Sequence, residues 1–179
     1  LPNGYSEPKE VRKMKRSART IIVSLFLSVC VLFVTASGVP AKEYEALEGL
    51  KSAKAVFDVR IGNPKAAALH IKLIHQTYKD LVAEKKNPVV AVVFIGPSVK
   101  LISKNREGFT AEDQKILDEI AGTITRMSKD GVKLELCLVA ARVFGVDPAS
   151  ILPEIKPVAN GWVSVIGYQA HGFSLVPVY

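Results

Sequence analysis

The stretch Val89-Val90-Ala91-Val92-Val93-Phe94-Ile95 decides the fold. It is an unbroken apolar run, mostly β-branched, and Gly96-Pro97 stops it. It is too short for a buried helix and shows no alternation of apolar and polar residues. A strand with no polar face is covered on both sides, which is the condition of a parallel sheet between helices. On the N-terminal side, Lys85-Lys86-Asn87-Pro88 closes a helix that starts at Asn63-Pro64. Asn63 reads as the N-cap and Pro64 as the first helical residue. Ala67, Ile71, Ile74, Tyr78, Leu81 and Val82 mark its expected buried face. A first strand, Ala55-Val56-Phe57-Asp58-Val59-Arg60, precedes it.

On the C-terminal side, Val99-Lys100-Leu101-Ile102 reads as a short helix and residues 103–109 as a polar loop. Thr110-Ala111-Glu112-Asp113 is a helix start with acids in its first turn, and Ile116, Leu117, Ile120, Ile124 and Met127 form the stripe. Asp130-Gly131 ends that helix. A third strand, Val132-Lys133-Leu134-Glu135-Leu136-Cys137-Leu138, leads into a brief helix over 139–144. A short strand over 155–158, a helix over 161–172 and a strand over 174–178 complete the chain; Pro177 suits an edge strand because it lacks an N–H. The order βαβαβαβαβ predicts a three-layer α/β/α sandwich on a mainly parallel five-stranded sheet.

The N-terminal part has a different character. Met14-Lys15-Arg16 opens a basic segment (Lys13, Lys15, Arg16, Arg19), followed by an apolar stretch over 21–34 and the small residues Thr35-Ala36-Ser37-Gly38-Val39-Pro40-Ala41. That is the layout of a secretory signal peptide, with Met14 as the start and cleavage after Ala41. Val34-Thr35-Ala36 is a second cleavage candidate. The competing reading is an uncleaved anchor, although the apolar stretch is shorter than the ~20 residues a spanning helix needs. Residues 1–41 are therefore expected to be extension and signal, and 42–179 one domain in the periplasm, with no membrane contact after cleavage. Cys30 leaves with the signal, so Cys137 is the domain's one thiol and forms no internal disulfide. The whole-chain net charge is +7, and Lys9, Arg12, Lys13, Lys15, Arg16 and Arg19 of the leader contribute much of it. With few aromatics and no basic patch interleaved with them, no nucleic-acid partner is expected.

Cys137 is the leading candidate for chemistry. It ends a strand, where open α/β sheets hold their ligands, and it precedes the brief helix, whose free N–H groups favour a thiolate. Arg142 lies a turn or so further on and could add positive charge. Against this, a free Cys is often a small buried hydrophobe. Asn105 and Arg106, in the polar loop, are candidates for a pocket rim. His70 and His75 do not share a helix face and read as surface residues. His171 reads as a helix-end cation, and Trp162 as core or subunit interface. No His/Cys/carboxylate set has zinc spacing, and Ile61-Gly62-Asn63-Pro64 lacks the phosphate-loop pattern, so no cofactor or metal is expected.

The run Asp130-Gly131-Val132-Lys133-Leu134-Glu135-Leu136-Cys137, with Ala141-Arg142, Gly145-Val146-Asp147-Pro148, Ile151-Leu152-Pro153, Asn160-Gly161-Trp162 and Tyr168-Gln169-Ala170-His171-Gly172-Phe173, resembles the DsrE/DsrF/TusD-like sulfur-relay family. The early strand and Val93-Phe94-Ile95-Gly96-Pro97 extend the resemblance over nearly the whole domain. It implies a three-layer α/β domain of flavodoxin-like topology, assembled as a homo-oligomer (trimer or hexamer). It implies a cysteine, here Cys137, that accepts sulfane sulfur as a persulfide from donor proteins or small thiols and passes it to an acceptor. The alternative is a non-catalytic oligomeric binding module in which Cys137 is structural.

Overall fold

The structure, a computed structural model, describes residues 44–179. The expected start, signal peptide and cleavage sites fall outside the described residues. Nine main elements follow one another: β1 (Lys54–Val59), α1 (Pro64–Ala83), β2 (Val89–Phe94), α2 (Ala111–Lys129), β3 (Lys133–Cys137), α3 (Leu138–Val143), β4 (Lys156–Val158), α4 (Gly161–Ala170) and β5 (Ser174–Val178). A 3-10 helix, Gly96–Ile102, takes the place of the short helix expected at 99–102. Among the described residues, no helix is long and apolar enough to cross a membrane.

The five strands form one sheet with every pair parallel, in the order β4-β3-β2-β1-β5. The class is the expected one, but the strand order differs from flavodoxin's 2-1-3-4-5. Here the chain steps outward from β1 to β4 and returns once, to the free edge of β1. Right-handed crossovers then place α1, α2 and α3 on one face and α4 alone on the other. The packing agrees: α1 lies against α2, while α4 lies against β1, β2 and β3. The connections leaving β3 and β4 diverge to opposite faces.

Parallel register sorts the side chains. Val59 pairs with Phe94 and Phe94 with Leu136; these three are buried on the face of α1 and α2, against Ile71, Ile74, Leu117, Ile120 and Ile124. The opposite parity faces α4: Asp58, Val93 and Glu135 form one level, and Arg60, Ile95 and Cys137 the next.

Sequence signals account for the helix ends. The Asn63 side chain accepts the Ala66 N–H (3.0 Å), and the Thr110 side chain accepts the Asp113 N–H (3.1 Å). The α1 stripe needs correction, because its buried residues are Ala67, Ala68, Ile71, Ile74 and His75, whereas Val82 is exposed. Packing against α2 turns the stripe this way. His75 is therefore not a surface residue: its Nε2 lies 2.6 Å from Asp130 Oδ2, at the C-cap of α2. Tyr78 donates from its hydroxyl to the Asp130 carbonyl (2.6 Å). Trp162 is not core either, being 57% exposed on α4.

Candidate functional site

Cys137 ends β3 and caps α3, with extended backbone (φ −76°, ψ 112°). Its Sγ accepts the N–H of Ala140 at 3.4 Å. The thiol is free and 3% exposed. Its cover is the start of α4, where Asn160 caps the helix by accepting the Trp162 N–H (3.0 Å). Gly161 presses directly on the thiol's own residue. A Cβ at Gly161 would sit 2.9 Å from Cys137 Cβ and 2.8 Å from Ile95 Cγ1, so only glycine fits. The sulfur is thus held where two helices begin, at the carboxyl end of a central strand.

The other expected site residues do not gather around the sulfur. Arg142 is exposed in the last turn of α3 and, among the described residues, makes no side-chain hydrogen bond or ion pair. It is five residues from Cys137, roughly 7 Å along the helix axis. Asn105 lines a cavity of ≈ 260 Å³ with Lys100, Phe109, Phe144, Asp147 and Ser150. Cys137 is not among the lining residues. Arg106 is turned away, donating to the Ser103 carbonyl (2.6 Å) and pairing with Asp118 (3.1 Å). His171 is the exposed C-cap of α4.

Two features on the α4 face went unread in the sequence. The first is Arg60, level with Cys137. Its Nε and Nη2 donate to Asp58 at 3.0, 3.0 and 2.6 Å. Asp58 holds the guanidinium pKa above its ordinary value, first through these hydrogen bonds, against the opposing effect of burial. The guanidinium carbon lies over the rings of Trp162 and Tyr179, 5.6 and 5.7 Å from their centroids. The available signal was Asp58-x-Arg60, an opposite-charge pair two apart on a strand and therefore on one face.

The second is Glu135, two residues before the thiol. Tyr168 donates its hydroxyl to Oε1 (2.8 Å), and Oε2 is buried with no partner among the described residues. Burial, then the Glu135 hydrogen bond and charge, push the Tyr168 hydroxyl well above its ordinary value. The phenolate therefore forms first in the unfolded chain. The contribution to stability is complete below about pH 10 and is lost as pH rises beyond that. Tyr168→Phe is expected to flatten the alkaline fall in Tm, read from melts between about pH 8 and 11. Equal alkaline slopes for the two proteins would contradict this.

Comparison with known proteins adds the family. A protein of Aquifex aeolicus (strain VF5), described as uncharacterized, is 23% identical over 125 residues, 69% of this chain and 55% of its own length. The chain thus spans about half the length of that relative. Among solved structures, a protein of unknown function from Methanobacterium thermoautotrophicum, MTH1491, superposes with a TM-score of 0.55 at 17% identity, over 70% of this chain and 99% of that one. It shares the fold. The ychN protein from E. coli gives a TM-score of 0.44 at 13% identity, over 71% and 99%. The family pattern fits residues 31–178, β1 through β5 included. The chain belongs to the DsrE/DsrF-like family.

Proposed function

We propose that this protein carries sulfane sulfur as a persulfide on Cys137. Family membership supports a role of the sulfur-relay type in general. The observation that carries the finer reading is the Ala140 N–H directed at Sγ at the end of β3 (3.4 Å). In the step, the Cys137 thiolate attacks the outer sulfur of a donor R–S–SH. The donor S–S bond breaks, RS⁻ leaves and takes up the proton that the thiol gave, and Cys137 becomes Cys–S–SH. Sulfur moves at constant oxidation state, so no external oxidant enters. An acceptor thiol reverses the step. Because Gly161 and Ile95 cover the thiol, loading requires the α4 start to part from β3. Arg142, exposed on α3, is the supporting cation in this reading.

The test is intact mass after incubation with a polysulfide. The wild type is expected to gain one sulfur atom and Cys137→Ser none. An unmodified wild type, or an equal gain on Cys137→Ser, overturns the reading.

One observation favours a second reading, a binding module with a structural Cys137: the thiol is 3% exposed and packed under Gly161. Labelling that occurs only after unfolding would favour it. We further propose export to the periplasm through a cleaved signal, supported by the basic, apolar and small-residue order over 14–41. N-terminal sequencing of the exported protein checks this, and an intact leader would mean an anchor. The resemblance also supports a homo-oligomer, and the exposed Val163 and Ile166 on the outer face of α4 suit such a contact. Sedimentation of wild type and Ile166→Asp tests it: a shift to monomer is expected, and a monomeric wild type refutes it.

A further inference from the structure

We propose that Arg60, with Trp162 and Tyr179, forms an anion site that selects the sulfur donor, so that the preferred donor is a small thiol persulfide bearing a carboxylate. This rests on the reading of Cys137 as the sulfur carrier and names the substrate class of that site.

Place in the fold is the first argument. In open α/β sheets, ligands lie outside the carboxyl ends of strands. The connections leaving β3 and β4 diverge to opposite faces beside Cys137, and the neighbouring strands β1 and β5 end at the same edge of the sheet. Arg60 directly follows β1, and Tyr179 directly follows β5. Trp162 is in the first turn of α4, beside the glycine that covers the thiol.

Register is the second. Val59, Phe94 and Leu136 are paired in a row, so Arg60, Ile95 and Cys137 form the next row, turned to α4. β1 and β3 are two strand spacings apart, roughly 9–10 Å. That is the separation of the two backbones, so a donor whose sulfane sulfur meets Cys137 needs its anionic group on the order of 10 Å away to reach Arg60. A tripeptide thiol such as glutathione spans this reach.

The chemistry of the guanidinium is the third. Asp58 engages Nε and Nη2. Nη1 has no partner among the described residues, and the side chain is 33% exposed. Asp58 hydrogen-bonds it and the rings of Trp162 and Tyr179 lie beside it, which narrows the directions its remaining donors can take. Arg recognises carboxylates in this planar way. Arg142, the cation suggested by sequence spacing, is exposed on α3 and has no comparable fixation.

Two measurements test the proposal. In the first, loading of Cys137 by glutathione persulfide is compared with loading by the persulfide of N-acetylcysteamine, which has no carboxylate. The wild type should load the carboxylate-bearing donor about tenfold to a hundredfold faster, the worth of one charge-assisted contact. In Arg60→Gln, and in the double variant Asp58→Asn/Arg60→Gln, which leaves no buried charge unpaired, the ratio should fall towards one. A merely structural role would lower both rates together and leave the ratio intact. A wild-type ratio near one, or a ratio kept by the folded double variant, overturns the proposal.

In the second, reduced glutathione is titrated while the Trp162 indole N–H is followed by NMR. The signal should move in the wild type and stay still in the double variant. If neither persulfide loads Cys137 yet glutathione still moves Trp162, the carrier reading falls and the anion site stands. If Trp162 does not respond, the anion site falls.

Discussion

Arg60→Met is expected to lower folding stability by about 3–5 kcal/mol, and Asp58→Asn added to it should restore most of that loss. Asp58 sits inside β1 between β2 and β5, and its side chain is only 5% exposed. Both carboxylate oxygens accept hydrogen bonds from Arg60 and, among the described residues, from no other group. Removing the guanidinium leaves a buried carboxylate with neither countercharge nor donor, which is far more costly than removing both members of the pair. The reverse single change should cost less. In Asp58→Asn the stranded group is Arg60, a third exposed and able to turn to water. It would keep its place over the rings of Trp162 and Tyr179. The expected order is therefore Arg60→Met least stable, then Asp58→Asn/Arg60→Met, then Asp58→Asn. Urea unfolding of the three variants reads it directly. An Arg60→Met loss under about 1 kcal/mol, the range of an exposed ion pair, would mean that Asp58 has water or another donor in solution.

How far the residues announced this structure depends on whether the determining interaction was local. The 89–95 run declared a two-sided strand because nothing in it tolerates water, and β2 is the central strand. Asn63, Pro64, Thr110 and Asp130 marked helix ends because capping involves only residues within one turn. The position of Cys137 at a strand end was legible for the same reason. Strand order was not legible, since neighbouring positions cannot say on which edge β5 will settle. The burial of His75 was hidden because its partner, Asp130, is 55 residues away on another helix. Val82 fits a helical stripe as well as His75 does, and only the approach direction of α2 separates them. The site divided along the same line. Spacing suggested Arg142 because it is near Cys137 in the chain, whereas sheet register brings Arg60 level with it from 77 positions upstream. Asn105 and Arg106 are neighbours in one loop, but of the two only Asn105 lines the cavity beside Phe144. Arg106 found Asp118, about two turns into α2, beyond what a loop sequence reveals.

The same substitution made twice in α4 should give opposite results, and the contrast tests how Cys137 is enclosed. Gly161→Ala places a methyl group 2.9 Å from Cys137 Cβ and 2.8 and 2.9 Å from Ile95 Cγ1 and Cδ1. Ile95 Cδ1 can swing away, but Cys137 Cβ is tied to the backbone at the end of β3. The helix start must therefore lift. Overpacking of this kind costs about 1–3 kcal/mol, offset only in part by the better helix propensity of alanine. Gly167→Ala lies six residues on, where a Cβ would meet nothing within 4 Å. There the propensity gain stands alone, and the variant should be more stable than wild type by about 0.5–1 kcal/mol. The functional consequence follows from the same geometry. If the α4 start is what shields the sulfur, lifting it should speed reaction of native Cys137 with a thiol reagent, while Gly167→Ala leaves the rate unchanged or slows it. Gly161→Val should exceed Gly161→Ala in both respects, because two further methyl groups enter the same contact. Unfolding curves and labelling rates measured on the same samples separate two cases. Faster labelling that tracks global unfolding would make the thiol reachable only through the denatured chain. Faster labelling in a protein still far from its unfolding midpoint would place the gate at the junction of Gly161 with β3, where sulfur transfer requires it.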